Sequence, residues 1–430
     1  MSHADDPAAR PPADPLLQGG QIRITNPLGM TAGKYREFCA VLELDTPAKV
    51  RAVETAASVA RQYLAPFVIK AATDMLGSLY TMVEANTRAR VIYLGGDGYS
   101  FGDVISELDP IFHNRYCAEL HISRTTADAA LEEAAPWGTR GADGFRKPGP
   151  HRDEPSSVWS DLVHYAEDSN LYLDRDGGEF ALVDTGFKGS VQEMLTAAYP
   201  DAIFHGHYLF FCATADDRHA DRKRGYALHL PQPNPFDGRA IREEFVDDPT
   251  LTFAHHDAIV AIEDLTRGPD VSPRRLDGTT LARLSAEDNS ATGINPARIA
   301  PCYADPYVRQ AVLAAISHTI STAARNIRQA RTDRPGTWYA GLTAQAEALR
   351  PQLHRWLAGR PGDPALIQLL NSFVRRADKD RWLTERPAPS ASAARTRSTS
   401  TAPRTPPTVR PSESATRPPP YRAPRRGQGR

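Results

Sequence analysis

Cysteine is scarce. Four residues in 430 (Cys39, Cys117, Cys212 and Cys302) stand far apart, with no C-x-x-C pair. This argues against a disulfide framework or a zinc site and fits the reduced thiols of a cytoplasmic protein. Long apolar runs are missing too: none approaches the roughly 18 residues needed to span a membrane. The first twenty residues are polar and Pro-rich, without a basic start and apolar core, so no secretory signal is expected. H-E-x-x-H, G-x-S-x-G and G-x-x-x-x-G-K-[ST] are absent. That lowers the case for a metalloprotease, an esterase or a P-loop nucleotidase.

Lysine is absent from the last stretch of chain. From Arg386 to Arg430 there are ten Arg and one acid, Glu413, so this segment carries +9. The remainder holds 41 basic against 51 acidic residues, a balance of −10. Pro, Ser, Thr, Ala and Arg dominate 386–430, which is expected to be a disordered tail, as is a leader over 1–20. Through charge the tail would meet RNA, DNA, anionic lipid or an acidic partner; a plain solvated tail is the alternative. A single aromatic, Tyr421, leaves it without a stacking platform.

The length predicts two or three domains. Residues 21–89 read as a mainly helical segment: Gln21–Ile24 is a possible short strand, Phe38–Leu42 a strand or a helix, and 47–89 has helical spacing. Strands are expected at Arg90–Leu94, Cys117–Ile122, Ala181–Val183 and Ile203–Cys212. Helices are expected at 101–108, 160–170, 259–265, 307–331, 341–356 and 364–383. Residues 134–157 read as an exposed insertion and 216–242 as irregular. Strand, glycine-rich turn, helix and strand form a βαβ unit. The expected fold is therefore α/β, a mainly parallel Rossmann-like sheet over 90–300, with helices over 301–385.

Three phrases carry chemistry: Gly95-Gly96-Asp97-Gly98, Ser123-Arg124, and Asp184-Thr185-Gly186-Phe187-Lys188-Gly189-Ser190. Each follows an apolar strand, so a parallel sheet would gather them at its carboxyl edge, where ligands bind in open α/β folds. Backbone N–H groups near Gly96, Gly98, Gly186 and Gly189 would hold phosphate oxygens, with Ser123, Thr185 and Ser190 beside them. Arg124 and Lys188 would supply positive charge. Asp184 and Asp97 are the catalytic candidates and would bind ribose hydroxyls or a magnesium ion. The competing account is three tight βα turns, since Gly and Asp are ordinary turn residues.

These phrases, with Leu94 to Tyr99 and Val183 to Gln192, resemble the Rossmann-like domain that follows the catalytic domain in predicted HAD-superfamily hydrolases. That family shows Ser-Arg-Asp-Gly at the first phrase and Asp-Ile-Gly-Trp-x-Gly-Ser at the third. Gly206-His207-Tyr208-Leu209 and Ile262-Glu263-Asp264-Leu265 fit its downstream pattern, and the resemblance covers about 60–320. Gly96 stands where the family has Arg. No strand ending in Asp-x-Asp occurs before Tyr93, so phosphatase activity is not expected from the preceding region. The order of the phrases is also similar to phosphoribosyltransferases, although Asp184-Thr185-Gly186 has one acid where that family commonly has two.

Two other patterns compete. Asp174-Arg175-Asp176-Gly177 resembles a HAD nucleophile motif, but the next strand begins too soon for the usual helix, and a polar turn is the simpler reading. His205-Gly206-His207, His219 and His255-His256-Asp257 raise a metal reading, against ordinary surface or core-edge histidines. The resulting expectation is a phosphate- or nucleotide-binding protein that transfers or hydrolyses a sugar-phosphate group. A non-catalytic binding or scaffold protein is the alternative.

Overall fold

A parallel sheet covered on both faces demands near-continuous apolar strands. In the computed structural model, β1 (Arg90–Leu94), β3 (Glu179–Asp184) and β4 (Ile203–Cys212) meet that demand in the middle of a five-stranded sheet. The edges are β2 (Cys117–Leu120) and β5 (Lys223–Leu230), and all neighbours are parallel in the order β2-β1-β3-β4-β5. A separate antiparallel pair joins β6 (Arg275–Asp277) to β7 (Thr280–Ala282). The structure describes residues 28–134, 142, 145, 158–174, 177–232, 247–267, 275–277, 280–282 and 294–375, with the side chains at 96, 97, 99, 275–277 and 280–282 outside that description. The leader, the tail, Gln21–Ile24 and nearly all of the 134–157 insertion therefore lie outside the described residues.

Helices α1 (Ala32–Val41), α2 (Pro47–Val59) and α3 (Ala65–Ala85) precede the sheet. Between strands come α4 (Gly95–Leu108), α5 (Pro110–Tyr116), α6 (Arg124–Ala134), α7 (Val158–Asp168) and α8 (Ser190–Ala198). After it follow α9 (His256–Thr266), α10 (Pro306–Asp333), α11 (Trp338–Ala346), α12 (Leu349–Leu357) and α13 (Pro364–Phe373). One local signal recurs: Thr46-Pro47, Asp109-Pro110, Asp305-Pro306 and Asp363-Pro364 each open a helix, with the Thr or Asp side chain accepting a first-turn N–H. Proline suits the next position because no partner awaits its missing N–H there. Between α2 and α3 the helix passes through a π turn at Ala60–Leu64. Pro66 cannot donate to the carbonyl four residues back, and the ladder rearranges around it.

Period-two burial divides the core. Val91, Tyr93, Ala181 and Val183 face a large apolar layer built by α2, α3, α4, α9, α10 and the last helices. Ile92, Leu94, Phe180 and Leu182 face a smaller one built by α6, α7 and α8. Strand addition reverses at β1, running first to β2 and then back past β1 to β3. Right-handed crossovers must then change face, so α4 and α5 lie on one side and α6 to α8 on the other. A crevice opens at such a reversal, outside the carboxyl ends of β1 and β3.

Several expectations need correction. The 216–242 stretch is not irregular throughout, because Lys223–Leu230 is an edge strand. Its lysine, arginine and histidine hid it, yet edge strands routinely carry charge. Gly95-Gly96-Asp97-Gly98 is not a turn ahead of a helix: α4 starts at Gly95, directly from β1. The predicted 341–356 helix breaks between α11 and α12, while Phe38 to Val41 takes the helical one of its two readings.

Candidate functional site

Beyond Asp184 the chain leaves β3, but β4 runs on and holds it. Phe210 N–H donates to the Thr185 carbonyl at 3.1 Å, and Cys212 N–H donates to the Phe187 carbonyl at 3.0 Å. Gly186 and Gly189 take left-handed φ values of 66° and 67°. Side chains are disfavoured there on conformational grounds and also lack space. A Cβ on Gly186 would stand 2.3 Å from the Tyr208 ring; on Gly189 it would stand 2.8 Å from Tyr208 Oη and 2.9 Å from Lys223 Cε. Tyr208 is locked in turn, its hydroxyl donating to Gln192 Oε1 at 2.8 Å while Gln192 Nε2 donates to the Phe204 carbonyl at 2.9 Å.

A buried charge cluster supports the same loop. Lys223 Nζ donates to the Lys188 carbonyl at 3.1 Å and lies 2.6 Å from Glu193 Oε1 and 2.7 Å from Asp217 Oδ1. The three side chains are at most 1% exposed. The ammonium also sits over the rings of Phe145 and Phe211, at 5.1 and 5.9 Å. His219 Nδ1 lies 2.8 Å from Glu193 Oε2. Burial raises the Asp217 carboxyl above the usual carboxylate range, against the lowering effect of Lys223.

The loop lines a concavity of about 150 Å³. Its walls are residues 184–191 together with Leu94, Arg124, Tyr208 and Glu263. Seven predicted site residues thus come together: Arg124, Asp184, Thr185, Gly186, Lys188, Gly189 and Ser190. Arg124 is exposed and Lys188 half-buried, and neither has an ion-pair partner among the described residues. Thr185 is 1% exposed, and its Oγ1 has no hydrogen-bond partner among them. Gly189 caps α8 without any side-chain hydrogen bond, so the first N–H groups of that helix remain donors for a ligand.

Ser123 is placed differently. Its Oγ accepts the Thr126 N–H at 3.1 Å and lies 2.9 Å from Thr126 Oγ1, so it caps α6 outside the pocket lining. Gly98 packs at the end of β3, with the Val183 carbonyl 2.9 Å from where its Cβ would stand. Gly96 and Asp97 belong to the first turn of α4, and their side-chain surroundings lie outside the described residues.

The histidines have structural partners. His205 Nε2 lies 3.0 Å from Glu179 Oε1, and His207 Nδ1 lies 2.7 Å from the Tyr226 hydroxyl. Burial pushes the His207 imidazole down to about 3, with His205 and Arg224 adding to the effect. His255 accepts the Asp257 N–H and caps α9. Among the described residues no group of three or more His, Cys, Asp and Glu is placed to hold a metal. Asp184 and Glu263 do share the pocket, and Mg²⁺ is commonly held by one or two carboxylates together with phosphate oxygens. The described part of the Leu171–Gly177 phrase is a turn entering β3.

Residue-by-residue reading missed the roles of Tyr208, Lys223 and Glu263. A Cβ on Gly206 would stand 2.2 Å from the Tyr208 ring, so a glycine inside β4 was the local mark of that crowding. Glu263 arrives from α9, about eighty residues beyond the loop, and no local pattern ties it there. No protein-family model, curated protein or solved structure matches the chain. Among the described residues no helix is long and apolar enough to cross a membrane.

Proposed function

We propose that the protein binds a phosphorylated small molecule at the carboxyl ends of β1 and β3. The observation that carries this reading is a single one. Around one concavity stand Arg124, Lys188, Thr185, two left-handed glycines and the uncapped start of α8. Arg offers a bidentate fork and Lys a point charge, while backbone N–H groups supply neutral donors. Asp184 and Glu263 fit a Mg²⁺ shared with the ligand's phosphate, and the ion would there offset charge on the phosphoryl group. HAD-associated and phosphoribosyltransferase-like chemistry both remain within this reading, because each handles a sugar phosphate by positioning and electrostatics.

Titration calorimetry of the full chain with inorganic phosphate, sugar phosphates and nucleotides, with and without Mg²⁺, tests it. Binding that falls at least about tenfold in Arg124→Ala and in Lys188→Ala is the expected result. Unchanged affinity in both variants would remove the site from this pocket. A phosphate-release assay then separates the two classes: turnover lost in Asp184→Asn assigns an enzyme, and binding without turnover assigns a binding or scaffold protein.

A further inference from the structure

We infer that Lys223, which does not line the concavity, is a positioning residue for it. Its ammonium fixes the peptide between Lys188 and Gly189 so that an N–H, and not a carbonyl, meets the bound phosphate. This rests on the phosphate-binding reading above and deepens it. Successive carbonyls of the loop are held by different elements. β4 holds those of Thr185 and Phe187, and the Glu193 N–H of α8 holds that of Gly189 at 3.1 Å. Between them the Lys188 carbonyl accepts from Lys223 Nζ, also at 3.1 Å. The Gly189 N–H has no hydrogen-bond acceptor among the described residues.

This peptide needs a tether. Gly189 stands at a φ of 67°. Glycine admits either sign of φ at similar cost, so the peptide plane ahead of it can turn over against little steric resistance. A trans peptide is planar, with its C=O and N–H pointing in opposite directions. Drawing the Lys188 carbonyl toward the buried ammonium therefore turns the Gly189 N–H away from it. The reversed peptide would offer a carbonyl oxygen, whose partial negative charge repels an anion. The ammonium is fully committed to this arrangement. It has three donors, and three acceptors surround it: the Lys188 carbonyl, Glu193 Oε1 and Asp217 Oδ1. The Lys223 side chain is 0% exposed, so it acts on a ligand only through that carbonyl. Stability alone does not call for it, since a buried ion cluster replaced as a whole by apolar side chains is often no less stable.

The test is calorimetry of the full chain with inorganic phosphate, run beside urea unfolding. It compares the wild type, Lys223→Met, and Lys223→Met combined with Glu193→Gln. The second substitution relieves the carboxylate beside the first, and so separates stability from loop geometry. Phosphate affinity is expected to fall at least about tenfold in both variants, although the double variant is the more stable. Affinity that returns together with stability would overturn the inference and leave Lys223 a purely structural residue. A second readout uses the wild type alone and does not depend on how the variants fold. In amide proton–nitrogen correlation spectra, the Gly189 proton is expected to move downfield as phosphate saturates the protein. A Gly189 signal unmoved at saturation would overturn the inference while leaving the phosphate site in place. Absence of phosphate binding to the wild type would overturn the phosphate reading, and this inference with it.

Discussion

Two charged regions meet at the 184–190 loop. In one, Arg124 and Lys188 border an open concavity and have no ion-pair partner among the described residues. In the other, Lys223 is sealed between Glu193 and Asp217 and holds the Lys188 carbonyl. Cations of the same formal charge therefore have opposite roles. A buried ammonium must be paired and hydrogen-bonded, so its partners are set by the fold. An exposed guanidinium costs little to leave unpaired, so it can be kept for a ligand. Charge alone therefore says nothing of a ligand; burial and pairing separate the cation held by the fold from the cations left open at a concave surface.

The largest effect is expected at the sealed cluster. Lys223→Met takes the shared ammonium from two buried carboxylates and should cost about 3–5 kcal/mol in urea unfolding. Adding Glu193→Gln should recover part of that loss. A cost below about 1 kcal/mol would mean that water reaches the cluster and that the contrast drawn here is false.

Next comes the loop. Gly186→Ala meets both a left-handed φ and the Tyr208 ring, and should lose about 2 kcal/mol of stability together with phosphate binding. Normal stability with lost binding would show that the loop adjusts without harm to the core.

His207 offers a pH probe outside the pocket lining. Its imidazole is held near 3 against a usual 6.5, so between those values the unfolded chain binds the proton and the folded one does not. Stability from this residue is complete above 6.5 and falls as pH drops, by about 1 kcal/mol at pH 5.5. Unfolding curves of His207→Asn should lack that part of the pH dependence. Matching wild-type and variant profiles would place the titration elsewhere.

Smallest in stability are Arg124→Ala and Lys188→Ala, each expected to stay within about 0.5 kcal/mol of wild type. Their effect belongs to ligand affinity. A large loss of stability in either would move that residue into the structural class with Lys223.

Legibility followed burial. β1 and β4 were readable to the residue because strands covered on both faces are written as apolar runs, and β3 was readable for the same reason. β5 was not, since an edge strand answers to one neighbour and tolerates Lys223, Arg224 and His229. In the site, the loop from Asp184 to Ser190 was legible through its glycines, and Arg124 through its place after a strand. Ser123 looked identical in kind but serves α6 as a cap. Glu263 stood in a phrase that fits the resembled family's downstream pattern, but nothing short-range links a residue of α9 to the end of β3.

Local sequence by itself determined the buried strands β1, β3 and β4 and most of the helices, where four helices begin, and that glycines sit at the strand ends. These depend on period, on side-chain shape and on backbone φ, which are properties of neighbouring residues. Only the tertiary structure decided the strand order that opens a crevice between β1 and β3. It alone separated Lys223, buried and paired, from Lys188 at the pocket, and brought Glu263 into the same pocket lining as Asp184. Pairing and exposure depend on residues far apart in the chain, and a linear pattern does not encode which distant groups will exclude water together.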